Sequence, residues 1–190
     1  LLNKMGAKVR GAGQDTIRIE GVEKLHGAKH KVIPDRIELG TFLLAAAITR
    51  GRIVAENALS DHIKPIIAKL AETGIDCKIE DDKILIDARD KKPIATDIKT
   101  LPYPGFPTDI QSPFMAYLLT CSGEAKIEET VFENRMMHTG ELNMMGAGIV
   151  TNGNDLATIK GPVALNGAKV RATDLRAGAT MVLAGLVASG

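Results

Sequence analysis

Residues 107–123, PTDIQSPFMAYLLTCSG, decide how the whole chain is read, because nearly the same stretch occurs twice more. An acid followed by an apolar run rich in small residues recurs at 34–51 (PDRIELGTFLLAAAITRG) and at 172–190 (ATDLRAGATMVLAGLVASG). These two flanking copies align without a gap: Asp35, Gly40, Ala45 and Gly51 fall opposite Asp174, Ala179, Ala184 and Gly190. Repetition on this scale marks a fold assembled from copies of one supersecondary unit. Each acid is expected to open a helix, where a carboxylate accepts free backbone N–H groups and suits the helix dipole.

A second element repeats between the first. LLNKMGAKVRGAGQDTIRIEG, IIAKLAETGIDCKIEDDKILIDA and ELNMMGAGIVTNGNDLATIKG each run from a helix end through Gly6, Gly74 or Gly146 into two short strands. A glycine after apolar residues spaced three to four apart closes a helix in the left-handed conformation. Alternating residues such as Ile17 and Ile19, or Ile84 and Ile86, follow around turns at Gly13–Asp15, Asp81–Asp82 and Gly153–Asp155. The unit therefore reads: acid-opened helix, Gly, strand, second helix, Gly, strand, turn, strand, connector strand. Asp35 and Asp109 are 74 residues apart and Asp109 and Asp174 are 65 apart. Such spacings exceed the common solenoid periods and point to a few large units closing about an axis. The chain opens inside a helical pattern and stops where the earlier copies continue into a strand, so it is expected to be a piece of a larger protein.

Composition excludes several classes. Lys and Arg number 24 against 23 Asp and Glu, so no strong field recruits nucleic acid or an anionic membrane. With no Trp, two Tyr and four Phe, platforms for base stacking are scarce. Charges such as Arg50 and Lys64 interrupt every apolar run before it reaches the roughly 18–20 residues of a membrane span. Two thiols, Cys77 in a strand pattern and Cys121 in a helix pattern, fit a reducing compartment. The expectation is a soluble, cytoplasmic protein.

Asp109 sits in FPTDIQ, where Pro104 and Pro107 hold the approach extended and Thr108–Asp109 opens the helix. Read blandly it is an N-cap worth about 1 kcal/mol. The surrounding Pro-Gly-Phe-Pro adds nothing to a cap but aims a loop, and a carboxylate there takes a proton from a hydroxyl placed on it. Asp174 is again a cap in the bland reading, with Arg176 a solvated first-turn residue. A first-turn Arg opposes the dipole and so suggests an anionic partner. Glu133, Asn134, Arg135 and His138 read as a polar loop with N-cap character. The histidines form no metal set: His26 and His30 lack the Glu of a His-Glu-x-x-His frame. Gly11–Gly13 is a hairpin turn rather than a phosphate cradle.

The stretches IPDRIELGTFLLAAAITRG, FPTDIQSPFM, ETVFENRMMH, ELNMMGA and ATDLRAGATMVLAGL, in order over essentially the whole chain, resemble the UDP-N-acetylglucosamine enolpyruvyl transferase (1-carboxyvinyltransferase) family. The combination of FPTD, VFENR and ATDLRA is specific, whereas any one alone is suggestive. The resemblance implies an inverse α/β prism built from repeated α-β-α-β-β units, with helices inside and sheets outside. Residues 1–33 would close a first prism domain, and 34–190 would form most of a second. Inward helices packed about an axis explain the Ala and Gly content. Their starts would converge on an interdomain cleft suited to anions.

By that resemblance the activity is transfer of the enolpyruvyl group of phosphoenolpyruvate to the 3-hydroxyl of UDP-N-acetylglucosamine, releasing phosphate. It is the first committed step of peptidoglycan biosynthesis, hence of cell-wall biogenesis, cell shape and division. Asp109 would contact and deprotonate the hydroxyl, Val131 would bind the sugar nucleotide through its backbone, and Asp174 and Arg176 would line the reacting centre. Arg135 is a further phosphate-side cation and Arg36 a weaker one. No metal or organic cofactor is implied. The family's N-terminal Lys-Asn pair, its loop Cys with the neighbouring Arg, and a late Arg have no counterpart here, and neither Cys77 nor Cys121 matches the loop Cys. The segment alone, without the N-terminal prism domain as partner, is therefore expected to show no turnover. Two rivals stand beside this reading: a 5-enolpyruvylshikimate-3-phosphate synthase-like transferase, and a non-catalytic ligand-binding domain.

Overall fold

The computed structural model describes all 190 residues, which divide into two units, Leu1–Pro34 and Asp35–Gly190. In the first, a 3-10 turn over Leu2–Met5 ends at Gly6 with φ 93°, and β1 (Lys8–Arg10) pairs antiparallel with β2 (Arg18–Glu20). Gln14 N–H closes the intervening turn on the Gly11 carbonyl at 3.0 Å. Ile17 and Ile19 are exposed in this unit, unlike the fully buried Ile84 and Ile86 at comparable places in the second.

The second unit carries α1 (Arg36–Ile48), β3 (Arg52–Ala55), α2 (Lys64–Glu72), β4 (Cys77–Glu80), β5 (Lys83–Asp87) and β6 (Ile98–Lys99). It continues with α3 (Thr108–Leu118), β7 (Gly123–Glu128), α4 (His138–Met144), β8 (Val150–Asn152), β9 (Leu156–Gly161) and α5 (Leu175–Gly185). The strands form one sheet in the order β3-β5-β4 and another in the order β6-β7-β9-β8. All pairs are antiparallel except β6 with β7, where a connector strand joins in parallel.

The three helix ends for which the sequence predicts a closing glycine follow that rule. Gly6, Gly74 and Gly146 stand at φ 93°, 90° and 86°, a region open to glycine without steric cost. The repeat extends to individual hydrogen bonds. Asn3 brackets Val9 through both amide atoms (2.7 and 2.8 Å), and Asn143 brackets Ile149 in the same way (2.9 and 2.7 Å). The connectors are anchored alike: His26, Ile94 and Asn166 N–H groups donate to the Met5, Thr73 and Met145 carbonyls at 2.9, 3.1 and 2.9 Å.

The core lies among the helices. In α3 every residue from Ile110 to Leu118 is buried, so the helix is flanked on all sides, by α1 and α5 among others. The sheets show the complementary pattern: Ala125 and Ile127 of β7 point inward while Glu124 and Lys126 face solvent. Helices inside and sheets outside is the inverse α/β prism arrangement. Gly40 shows why small residues are needed. A methyl there would come within 2.9 Å of Ile66 Cδ1 and 3.1 Å of Ile110 Cδ1, so the tips of these α2 and α3 side chains would have to shift.

Candidate functional site

At the starts of the three inner helices, one acid departs from the expected role. Asp35 and Asp174 are true caps: Asp35 Oδ1 accepts from the Ile37 N–H at 2.7 Å, and Asp174 Oδ1 accepts from Arg176 and Ala177 N–H at 2.9 and 2.8 Å. In α3 the N-cap is Pro107, the helix begins at Thr108, and Asp109 is its second residue with no capping bond. The bland reading of Asp109 as a cap is thereby corrected. Its carboxylate is left to point away from its own helix start.

What it meets is Arg176. The Arg176 Nε–H donates to Asp109 Oδ1, and Arg135 Nη1 lies 3.6 Å from the same oxygen. Arg176 is thus not a solvated first-turn residue; its anionic partner is a carboxylate of the neighbouring helix. Arg176 Nη1 also stands 3.5 Å from Asp174 Oδ2. Both guanidiniums come closest to Oδ1, and no protein hydrogen bond is made to Asp109 Oδ2. Burial alone would raise the Asp174 carboxyl. The Ala177 and Arg176 N–H groups and the nearby Arg176 and Arg135 charges outweigh it and hold the group below the ordinary carboxylate range.

A second chain of contacts reaches the same place. Arg135 Nη1–H donates to Thr108 Oγ1, whose own hydroxyl donates to Glu129 Oε2 at 2.7 Å. Glu129 Oε1 accepts the Val131 and Phe132 N–H groups at 2.9 and 3.1 Å. The Phe132 ring carries the Arg135 guanidinium 4.3 Å above its centroid. Val131 therefore has its N–H engaged, while its carbonyl accepts no protein hydrogen bond. Behind these groups His138 begins α4, 4% exposed, and its Nε2 meets no protein partner. Burial pushes it down to about 4 despite the Asp174 and Glu129 carboxylates, so the imidazole is neutral. The loop reading of His138 is corrected to a buried helix-start residue.

A hollow of about 230 Å³ opens beside Asp109, lined among others by Arg36, His62, Tyr103, Thr108 and Val131. Asp109, Asp174, Arg176 and Arg135 are thus brought together, Val131 borders them, and Arg36 lines the hollow without bonding to Asp109. No three His, Cys, Asp or Glu side chains cluster in a metal-holding arrangement. Cys77 and Cys121 are free thiols pushed up to about 11 by burial, unsuited to nucleophilic work. Glu129 escaped the reading of the sequence. Its signal was present: continuing the inward alternation of Ala125 and Ile127 by two residues puts an acid on the buried face.

No helix is long and apolar enough to cross a membrane. A curated relative from Finegoldia magna, named UDP-N-acetylglucosamine 1-carboxyvinyltransferase, is 58% identical over all of this chain and 45% of its own length. Others bearing that name are at 53–56%. The chain thus spans about half the length of the curated relatives it matches. Among solved structures, the enolpyruvyl transferase NikO from Streptomyces tendae is similar with a TM-score of 0.81 at 25% identity, over 98% of this chain and 45% of that one. An EPSP synthase from Acinetobacter baumannii shares the fold with a TM-score of 0.73 at 21% identity, over 100% of this chain and 47% of that one. The family model described as EPSP synthase (3-phosphoshikimate 1-carboxyvinyltransferase) matches residues 1–190, and the chain belongs to that family of enolpyruvyl transferases.

Proposed function

We propose that this chain is the Asp109-bearing part of an enzyme that moves the enolpyruvyl group of phosphoenolpyruvate onto the 3-hydroxyl of UDP-N-acetylglucosamine, in the cytoplasmic opening step of peptidoglycan synthesis. The observation that carries the proposal is the open Asp109 Oδ2. Arg176 and Arg135 hold the carboxylate at Oδ1, its other oxygen takes no protein hydrogen bond, and Asp109 lines the hollow. A hydroxyl placed there gives its proton to Oδ2 as its oxygen bonds to C2 of the enolpyruvyl group. C3 takes a proton from an acid supplied by the part of the enzyme this chain does not span, which gives a tetrahedral adduct. The C2–O bond to phosphate then breaks and a C3 proton is lost, which restores the C2–C3 double bond as the enol ether of the sugar.

Arg176 and Arg135 stand where negative charge gathers on the departing phosphate, and fixed cations in a partly buried site need no reorganisation to stabilise it. Asp174 holds Arg176 from the other side. The Val131 carbonyl accepts a hydroxyl or amide N–H of the sugar nucleotide. Residues 1–33 close the first prism domain in this reading, and 34–190 form most of the second. The remaining phosphoenolpyruvate ligands come from the half of the relatives that this chain does not span.

The name shared by relatives at 53–58% identity favours the sugar nucleotide over shikimate 3-phosphate, whose synthases stand at 21%. The test is phosphate release by the full-length enzyme from phosphoenolpyruvate with each acceptor. Turnover with UDP-N-acetylglucosamine alone is expected, abolished by Asp109→Asn. Turnover with shikimate 3-phosphate alone establishes the rival transferase. Ligand binding with no turnover, indifferent to Asp109→Asn, establishes a binding module.

A further inference from the structure

Glu129 is a carboxylate only 3% exposed, just past the end of β7, and no guanidinium or ammonium touches it. A buried carboxylate without a paired cation is costly unless its lone pairs are filled. Here three donors fill them, and each belongs to a group that borders the site: the Thr108 hydroxyl and the Val131 and Phe132 N–H groups. The rest of the turn is anchored independently, Thr130 N–H donating to Thr100 Oγ1 at 2.9 Å and Glu129 N–H to the Asp155 carbonyl at 2.7 Å. The carboxylate is therefore not needed merely to close the loop.

The direction of the hydrogen bonds shows its use. A guanidinium can only donate, so Thr108 accepts from Arg135 and gives its own single proton to Glu129 Oε2. That turns the Thr108 lone pairs toward Arg135 Nη1, which in turn lies beside Asp109 Oδ1. The same carboxylate holds the N–H of Phe132, on whose ring Arg135 rests, and that of Val131, whose carbonyl is thereby aimed. We infer that Glu129 is a positioning residue: it sets Arg135 and the Val131 carbonyl in register with Asp109, and acts on the reaction only through them. This rests on the function proposed above.

A glutamine at 129 that keeps its oxygen on the Val131 and Phe132 N–H groups turns its NH2 to Thr108. At nearly constant volume the Thr108 proton then loses its acceptor, and the Thr108 lone pairs are shared between two donors. In the full-length enzyme, Glu129→Gln is expected to lower kcat/KM for the acceptor on the order of 30-fold. Thr108→Val should act similarly, Thr108→Ser should stay within about 3-fold of wild type, and the Glu129→Gln/Thr108→Val pair should be no worse than the worse single change. Glu129→Gln within about 3-fold of wild type, Thr108→Ser as damaging as Thr108→Val, or a pair whose effects multiply overturns the inference. Ratios are taken on whichever acceptor the wild-type enzyme uses, so an error in the acceptor leaves them intact. If the wild-type enzyme turns over neither, crystal structures of Glu129→Gln and Thr108→Val still decide: Arg135 is expected to leave Asp109 Oδ1, and an unmoved guanidinium in either refutes the role.

Discussion

The starts of α1 and α3 derive from the same repeated motif and are used differently. At α1 the carboxylate of Asp35 turns back onto its own helix and accepts the Ile37 and Glu38 N–H groups. At α3 the helix begins earlier, with Pro107 at the cap and Thr108 as first residue, and Asp109 is carried one step inside, where its side chain leaves the helix for Arg176 and Arg135. Proline suits such a start because a helix entrance has no use for its missing N–H. A second proline, Pro113, cannot donate to the carbonyl four residues before it, which is that of Asp109. One motif thus yields a cap where the helix is structural and an outward carboxylate where a site is built. Asp174 stands between the two, capping α5 through Oδ1 while its Oδ2 lies near Arg176.

Asparagine separates these roles, since it caps a helix as well as aspartate does but carries no charge. Asp109→Asn is expected to cut turnover about a thousandfold with the fold retained, because it removes a proton acceptor and unpairs two guanidiniums. Asp174→Asn keeps its cap and loses only the longer contact to Arg176, so about a tenfold loss is expected. Steady-state phosphate release from the full-length enzyme measures both. Equal losses at 109 and 174 would erase the distinction drawn between them.

The next largest effect concerns His138, buried behind the same cluster and facing Asp174, Glu129 and the backbone of Arg135. Its folded-state value near 4 lies below the roughly 6.5 of an unfolded histidine. The neutral form is therefore favoured by folding. Its contribution is complete above pH 6.5 and is lost as pH falls from there through 4. Between pH 7 and 4.5 this linkage amounts to about 2.5 kcal/mol. Urea unfolding of the wild-type protein should lose that much more over the interval than His138→Gln does. Parallel losses in the two proteins would mean that His138 is protonated freely in the folded state.

How far the sequence carried these results depends on the range of the interactions involved. The repeat was legible because its signals are local: glycines at 6, 74 and 146, alternation in the strands, and the same LN-x-MG words around Asn3 and Asn143. The exact start of α3 was not, because Thr and Asp are both good caps and sit side by side at 108 and 109. A residue 21 positions away settles the matter by taking the Thr108 hydroxyl. Arg176 was legible as an unfavourable first-turn cation in search of an anion, but not that the anion is Asp109, 67 positions away. Its grouping with Asp109 and Asp174 came from resemblance rather than from spacing. His138 looks like a surface polar residue until tertiary packing encloses it, and only the alternation of Ala125 and Ile127 hints that Glu129 is buried.

The comparison between the helices also extends along their lengths. Gly40 in α1 is pressed against Ile66 and Ile110, and Ile110 is the neighbour of Asp109, whereas a methyl at Gly178 in α5 would meet only Ala172 Cβ at an ordinary 3.5 Å. Gly40→Val should therefore destabilise by about 1–3 kcal/mol through overpacking. Gly178→Ala should be tolerated, or stabilise by up to about 1 kcal/mol as glycine leaves a helix interior. Thermal unfolding distinguishes the two. If Gly40→Val is as benign as Gly178→Ala, the contact with Ile66 and Ile110 is not what the small residue serves.

The smallest expected effect completes the contrast. If Asp35 is only a cap, its charge is dispensable and its hydrogen-bond acceptor is not. Asp35→Asn should leave both stability and turnover nearly unchanged, while Asp35→Ala should cost about 1 kcal/mol, the usual loss when an N-cap acceptor is removed. The deficit should appear as faster hydrogen exchange at the Ile37 and Glu38 amides, the two that lose their acceptor. Turnover should follow stability and nothing more, because Asp35 reaches neither Asp109 nor its guanidiniums. A loss of turnover in Asp35→Asn on the scale seen at Asp109 would mean that the α1 carboxylate also works on substrate, and that the two helix starts are not divided into cap and site.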